Sequence, residues 1–221
     1  MTLDQTPLPV VAAVSRIVTR VVDRVVGDRV DYPLLVCMAT VEALKCFGIE
    51  SRIMYGEAGW IEILEDQAPV WAGCWGENYH FWVATQFGEV VDLNTSVAWQ
   101  KRSHTSPMLK ALYSAPMLWS REVPSFYHYV PEGVAEVDLT DQRDQRHHRL
   151  VIAEVQEKCQ LIASNISNSE NGDQNQNQSD LEFPNEPILC PGRRVLDDSK
   201  GTFRYFERAL AVAGVPQYPV N

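Results

Sequence analysis

The chain has 221 residues, of which 45% are hydrophobic, and this fits one domain of ordinary size with a substantial core. Its formal net charge of −10 and its isoelectric point of about 4.9 argue against general binding to nucleic acids or anionic membranes, since both require a positive protein surface. The sequence has no apolar run of about 18 residues and does not begin with a secretory signal, so we expect a cytoplasmic protein without membrane spans.

The cysteines are irregularly spaced and include no Cys-x-x-Cys pair. The five are Cys37, Cys46, Cys74, Cys159 and Cys190. An odd count without a ligand-like spacing indicates reduced thiols rather than a disulfide framework or a structural zinc site. We therefore expect neither a metal ion nor a cofactor.

Two amphipathic helices are predicted near the start of the chain. The first, residues 9–26, carries apolar side chains at spacings of three and four and ends near Gly27. Its polar face is not strongly basic, so packing against a core is favoured over binding at a membrane surface. The second helix, residues 33–47, is predicted to have Asp31 as its N-cap and Gly48 in the left-handed position after its end.

Short strands are predicted after these helices. Residues 49–55 and 60–64 read as two strands joined by a turn at residues 56–59, and residues 70–75 read as a further strand. A pattern of helices followed by antiparallel strands is typical of an α+β fold.

A β-hairpin is predicted next. Residues 80–85 alternate as one strand, residues 87–89 supply the turn, and residues 89–93 return as the second strand. Antiparallel pairing about this turn brings the far ends of the strands together. We therefore expect His80 and Asp92 to lie close enough for the carboxylate to hold the imidazole.

The patterns are weaker after the hairpin. We predict a short helix at residues 107–113, strands at residues 123–130 and 134–139, and a long polar helix at residues 141–162.

The last part of the chain divides by composition. Residues 164–183 are rich in Asn, Gln and Ser and offer little to bury, which predicts a disordered linker. The expected organisation is thus one domain at residues 1–163, the linker, and a tail at residues 184–221 with one helix at residues 201–212.

The chemistry of a reactive cysteine explains which residues stand out. The thiolate is the nucleophile, and a helix N-terminus or a neighbouring imidazolium favours that form. A common solution places a cysteine at the start of a helix, a histidine on a facing strand and a carboxylate behind the histidine. Cys37, near the start of the second helix, followed by His80 and Asp92 on the hairpin, predicts such an arrangement.

Three short motifs resemble a known family. They are Gly-Ile-x-x-Arg at residues 48–52, His-x-Trp-Val at residues 80–83 and Asp-x-x-Thr at residues 92–95. Together they are similar to the core of the transglutaminase-like superfamily of papain-type cysteine enzymes, over about residues 31–98. The resemblance implies an α+β fold in which N-terminal helices pack on an antiparallel sheet, with additional helices at the C-terminal end.

The resemblance also implies roles for the candidate residues. Cys37 would be the nucleophile, His80 the general base and then acid, and Asp92 the group that orients His80. One spacing departs from the family, whose nucleophile precedes the glycine by about four helical turns. That position here is Pro33, and Cys37 lies only eleven residues before Gly48. Either the helix begins later and Cys37 is at its N-terminus, or Cys37 lies one turn inside and the fold lacks its nucleophile.

The predicted function is thiol-dependent acyl transfer on a peptide or a small acyl or amide substrate. A Cys acyl-enzyme would pass its acyl group to water or to an amine. Two further residues are candidates for substrate binding. Trp82 would pack beside the site, and the Tyr32 hydroxyl would contribute to an oxyanion pocket.

The sequence is also compatible with two other interpretations. Cys74, His80 and Asp92 could be imagined as metal ligands, but no motif supplies the fourth group of a tetrahedral site. The same fold could instead be catalytically inactive and bind proteins. In that case the aromatic residues of the terminal helix, including Tyr205 and Phe206, would dock a partner or pack on their own domain.

Overall fold

A computed structural model describes residues 4–98, 100, 111–170, 188–189, 195–197 and 202–219. The helices are α1 (Leu8–Val26), α2 (Pro33–Cys46), α3 (Gln142–Glu170) and α4 (Thr202–Ala213). The strands are β1 (Ser51–Leu64), β2 (Pro69–Cys74), β3 (His80–Thr85), β4 (Val90–Asp92), β5 (Ala111–Ser114), β6 (Met117–Ser120), β7 (Tyr127–Val134), β8 (Ile188–Leu189) and β9 (Val195–Asp197). The predicted α+β fold is confirmed: N-terminal helices pack on a curled antiparallel sheet, with further helices at the C-terminal end.

Helix α1 forms where the valine-rich pattern predicts it. Its buried hydroxyls are satisfied locally, because Ser15 Oγ donates to the Val11 carbonyl at 2.7 Å and Thr19 Oγ1 donates to the Ser15 carbonyl at 2.8 Å. Gly27, with φ 86°, ends the helix in a conformation that glycine adopts without strain. The buried face packs on α2 and α3.

Helix α2 begins at Pro33, and its predicted N-cap is wrong. Asp31 belongs to a short 3-10 turn, Arg29–Asp31, which is capped by Asp28 through a 3.0 Å bond from the Val30 amide. Tyr32 therefore occupies the N-cap position of α2, without a side-chain cap bond. The other end follows the prediction, since Gly48 has φ 70°.

Strand β1 corrects the predicted turn at residues 56–59. The chain continues through this segment as one strand of fourteen residues. Gly56 is needed for close approach rather than for a turn, because a Cβ there would lie 2.2 Å from the Val130 carbonyl oxygen on β7. A register shift next to Gly56 bends the β1–β7 ladder, as a β-bulge does.

The long strand β1 organises the sheet. Along one edge it pairs with β3 through residues 51–56 and with β2 through residues 58–63. Along its other edge it pairs with β7 and β5. The sheet then continues from β3 through β4 and β6 to β9 and β8, and the strand pairs among the described residues are antiparallel.

Two apolar cores lie on opposite faces of the sheet. Ile53, Val83 and Val91 face α1, α2 and α3 in the first core, and we call this side the helix face. The second core includes Trp60 and Trp82 on the other face of the sheet. Successive strand residues point to opposite faces, so β3 contributes to both cores.

The second half of the chain differs from the prediction in several places. Strand β5 spans residues 111–114 and so replaces the last three residues of the short helix predicted at 107–113, while residues 101–110 lie outside the described residues. Strand β7 replaces the two predicted strands with one, Tyr127–Val134. Helix α3 runs to Glu170, beyond the predicted start of the linker at residue 164, and the rest of the predicted linker, residues 171–183, lies outside the described residues.

Helix α4 confirms the predicted terminal helix. Phe206 is buried in the second core, 5.4 Å from the Phe126 ring between centroids, so the helix packs on its own domain. Tyr205 stays 62% exposed and stacks on Tyr113. Among the residues that the structure describes, no helix is both long and apolar enough to cross a bilayer.

Candidate active site

The predicted proximity of His80 and Asp92 is confirmed. The β3–β4 ladder pairs Val83 with Val91, which brings the start of β3 and the end of β4 to the same end of the hairpin. His80 Nε2 lies 2.6 Å from Asp92 Oδ2, and both side chains are buried. Their catalytic roles remain predictions.

Two further donors hold the Asp92 carboxylate. The Tyr129 hydroxyl on β7 donates to Oδ2 at 2.8 Å, and the Asn94 backbone amide donates to Oδ1 at 3.0 Å. Buried charges are costly unless they are paired and hydrogen-bonded, and Asp92 has both kinds of partner. The carboxylate is therefore fixed in position and in turn fixes the His80 ring.

The pair is ionised at neutral pH. Burial alone would lower the pKa of His80, but the charge and hydrogen bond of Asp92, together with the Cys74 thiol, raise that pKa to about 10. Burial acts to raise the pKa of Asp92, but its interactions with His80, Asn94 and Tyr129 bring that pKa below its ordinary value. The site thus holds a buried imidazolium next to a carboxylate.

One face of the sheet carries the site. Paired strand residues point to the same side, and His80 pairs with Gly56 while Cys74 pairs with Ala58. Tyr129 pairs with Ala58 from the opposite edge of β1. We call this side the site face. Its floor consists of small residues, Gly56 and Ala58, which leave room for the larger side chains around them.

The Cys74 thiol lies beside His80, where the sequence suggests it only as one of three imagined metal ligands. Cys74 is half-buried at the end of β2 and packs against the second core. Its thiol is among the groups that raise the pKa of His80, through a hydrogen bond and through charge. Trp60 covers the imidazole on the same face, with its ring centroid 5.2 Å from that of His80.

Cys37 lies one turn inside α2, so the helix does not begin late enough to place it at the N-terminus. Its side chain is 5% exposed and packs in the first core. Burial, reinforced by the negative charge of Asp92, raises the pKa of Cys37 well above its ordinary value. Within the described part of the chain, no hydrogen bond joins Cys37 to His80.

The two predicted substrate-binding residues occupy different places. Trp82 is 2% exposed and lies 5.1 Å from Tyr129 between ring centroids, so it supports the residue that bonds Asp92. Tyr32 is half-buried at the N-cap of α2 and meets the His147 ring edge-on at 5.6 Å. The structure brings Trp82 to the edge of the site, whereas the described ring contact of Tyr32 is with α3.

No cluster of three or more His, Cys, Asp or Glu side chains suited to a metal ion occurs among the described residues. The arrangement that is present can do acid–base and thiol chemistry. It combines an oriented, protonated imidazole with a nearby thiol and a fixed carboxylate.

Sequence reasoning missed Tyr129, and it weighed Cys74 beside His80 and Asp92 only as an imagined metal ligand. Tyr129 lies in a segment without a motif, and it reaches Asp92 only because β7 pairs with β1. Cys74 reaches His80 because β2 and β3 lie end to end along one edge of β1, which a prediction of β1 as one continuous strand would allow. The predicted turn at residues 56–59 concealed this arrangement by dividing β1 into two strands.

Comparisons with known proteins do not assign a family. No family model matches the chain, and no curated protein matches it in sequence. A crystal structure from structural genomics is similar to it with 13% sequence identity and a TM-score of 0.36, over 75% of this chain and 82% of that chain. A similarity at this level carries no statement about function.

Proposed function

We propose that this protein is a thiol-dependent acyl-transfer enzyme that forms a Cys acyl-enzyme at the His80–Asp92 pair. The 2.6 Å contact between the buried imidazole and carboxylate is the observation that carries the proposal. The resemblance of residues 48–52, 80–83 and 92–95 to the transglutaminase-like superfamily agrees with it. The substrate would be a peptide or a small amide or ester.

Asp92 supports the reaction by orienting His80. Asp92 Oδ2 is hydrogen-bonded to Nε2 of the ring, so Nδ1 is the nitrogen that would face a thiol and a leaving group. The bonds from Tyr129 and Asn94 keep Asp92 from turning away. This is the positioning that a carboxylate behind a catalytic histidine provides.

His80 would act first as an acid rather than as a base. Because Asp92 and Cys74 raise the pKa of His80 to about 10, the ring is already protonated at neutral pH. A thiolate then attacks the acyl carbon and forms a C–S bond, the C–N or C–O bond breaks, and His80 gives its proton to the leaving group.

The second half-reaction restores the site. Neutral His80 accepts a proton from water or from an amine, which attacks the thioester and displaces the thiolate. Water gives hydrolysis and an amine gives transamidation. The sequence-derived candidate for the thiolate is Cys37.

Trapping of the acyl-enzyme tests the proposal. The protein is mixed with p-nitrophenyl acetate, quenched in acid and analysed by intact-mass spectrometry, which reports a covalent acetyl group. We expect one acetyl group per chain in the wild type and loss of trapping in His80→Gln. A wild-type protein that gains no acetyl group, while its circular dichroism shows that it is folded, would contradict the proposal.

The surroundings of Cys37 favour a second candidate, a catalytically inactive fold that binds another protein. Pro33 stands at the position implied for the nucleophile, and burial raises the pKa of Cys37. Under this alternative the His80–Asp92 pair only stabilises the fold. Absence of acetyl trapping, together with a large loss of stability in His80→Gln, would favour it.

A further inference from the structure

We propose that Cys74, rather than Cys37, supplies the attacking sulfur at the His80–Asp92 site. This assignment rests on the proposed acyl-transfer function and names the nucleophile of the same site. It requires that Cys74 face His80, be accessible to a substrate, and lie beside a positive charge.

Strand register places Cys74 and His80 on one face. Their partners on β1 are Ala58 and Gly56, which are two residues apart. Residues two apart on a strand are separated by about 6.6 Å and point to the same side. At this separation the two side chains can meet above the strand, where Gly56 contributes no side chain of its own.

The two candidate thiols differ in accessibility. Cys74 is half-buried at the end of β2, where the chain leaves the sheet. Cys37 packs among apolar side chains of the first core, together with residues of the helix face. An acyl donor can therefore reach Cys74 from solvent, whereas it would have to displace core side chains to reach Cys37.

The charges around Cys74 also suit a nucleophile. His80 is the cation next to it, and Asp92 holds that cation through Nε2 of the ring. Tyr129 faces the same site from β7, but its pKa is raised well above the ordinary value by burial and by Asp92, so it stays neutral. Positive charge beside a thiol favours the reactive thiolate.

The reaction is balanced without any further reagent. Cys74 Sγ attacks the acyl carbon as a thiolate, and the proton that His80 carries leaves with the amine or alcohol. Water then attacks the thioester, gives one proton to His80 and releases the carboxylic acid. The thiolate and the imidazolium are both restored.

Site-resolved alkylation tests this assignment in the full-length wild-type protein. The native chain is treated with iodoacetamide at pH 6, quenched and digested, and alkylation of each cysteine is measured by mass spectrometry. Cys46 is the internal control, because it is also half-buried but lies at the end of α2 and its pKa is raised by burial. We expect Cys74 to react at least about tenfold faster than Cys46, and His80→Gln to remove most of that difference.

Acetyl trapping in three variants completes the test. We expect Cys74→Ala to lose the trapped acetyl group, and Cys37→Ala and the control Cys46→Ala to retain it. Loss of trapping in Cys37→Ala with retention in Cys74→Ala would overturn the assignment but leave the acyl-transfer function standing. No trapping in the wild type would overturn the function itself, and the wild-type alkylation pattern does not depend on whether any variant folds.

Discussion

Two buried carboxyl groups lie at opposite ends of the β3–β4 hairpin, and their partners differ in kind. At the turn end, Glu89 is fully buried and accepts hydrogen bonds from Thr6, Thr85 and Trp119. At the open end, Asp92 is bonded by His80 and Tyr129, and its negative charge acts on the pKa of the Cys37 thiol.

The comparison shows that burial of an acidic side chain does not by itself indicate an active site. Glu89 accepts these bonds from hydroxyl, amide and indole groups. The two bonds from Thr6 tie the segment before α1 to the hairpin. His80, in contrast, can exchange a proton, and the site face presents Cys74 to it. We therefore assign a structural role to the Glu89 end and propose chemistry for the Asp92 end.

The largest effect is expected from Asp92→Asn. The change leaves the buried His80 imidazolium without its counter-charge, and breaking a buried pair in this way costs about 3–5 kcal/mol of unfolding free energy. Urea denaturation at pH 7 measures it. A loss below about 1 kcal/mol would show that the pair is not ionised in the folded protein.

The next effect is a dependence of stability on pH. His80 has a pKa of about 10 in the folded chain, against about 6.5 when unfolded. The folded state therefore keeps a proton that the unfolded state has lost between these values, so this stabilisation is complete below about pH 6.5 and is lost as the pH rises towards 10. We expect the free energy of unfolding of the wild type to exceed that of His80→Gln by a few kcal/mol at pH 6. This difference should narrow at alkaline pH. A gap that is constant or widens from pH 6 to pH 10 would refute this linkage.

The other carboxyl group provides the contrast. Glu89→Gln places an amide NH₂ against groups that donate hydrogen bonds, and we expect a loss of about 2 kcal/mol in urea denaturation. The alkylation rate of Cys74 should stay within about twofold of wild type, because Glu89 lies at the other end of the hairpin. A large fall in Cys74 reactivity with intact structure would mean that the two ends are coupled.

The smallest expected effect is that of Tyr129→Phe. The change removes one hydrogen bond to the Asp92 carboxylate and keeps the ring that packs on Trp82, so about 1.5 kcal/mol should be lost. Thermal denaturation of the variant and the wild type under the same conditions measures this loss of stability. Unchanged stability would indicate that Asp92 does not depend on this donor.

The sequence predicted the hairpin end of the site well. Alternating residues and Gly88, which has φ 72°, specify a local turn, and local pairing alone brings His80 to Asp92. The fold class followed from the order of helices and strands. These features depend on neighbours in the chain, which a sequence pattern records.

The remainder depends on long-range pairing. Gly56 and Gly59 suggested a turn, but a Cβ at either would collide with a neighbour, Val130 for Gly56 and Tyr218 for Gly59. The sequence shows a glycine and not the reason for it. Because a turn was predicted where β1 is continuous, the sequence did not predict the common edge on which β2 and β3 meet, and that edge is what brings Cys74 next to His80.

The protonation state of His80 tests most directly whether the site holds a buried imidazolium paired with Asp92. The ¹⁵N chemical shifts of the ring, followed by NMR from pH 5 to pH 11 in the folded protein, report whether both ring nitrogens carry protons. We predict an imidazolium through neutral pH that loses its proton near pH 10. A ring that titrates near its ordinary value of about 6.5 would contradict the ion pair with Asp92 and the chemistry proposed from it.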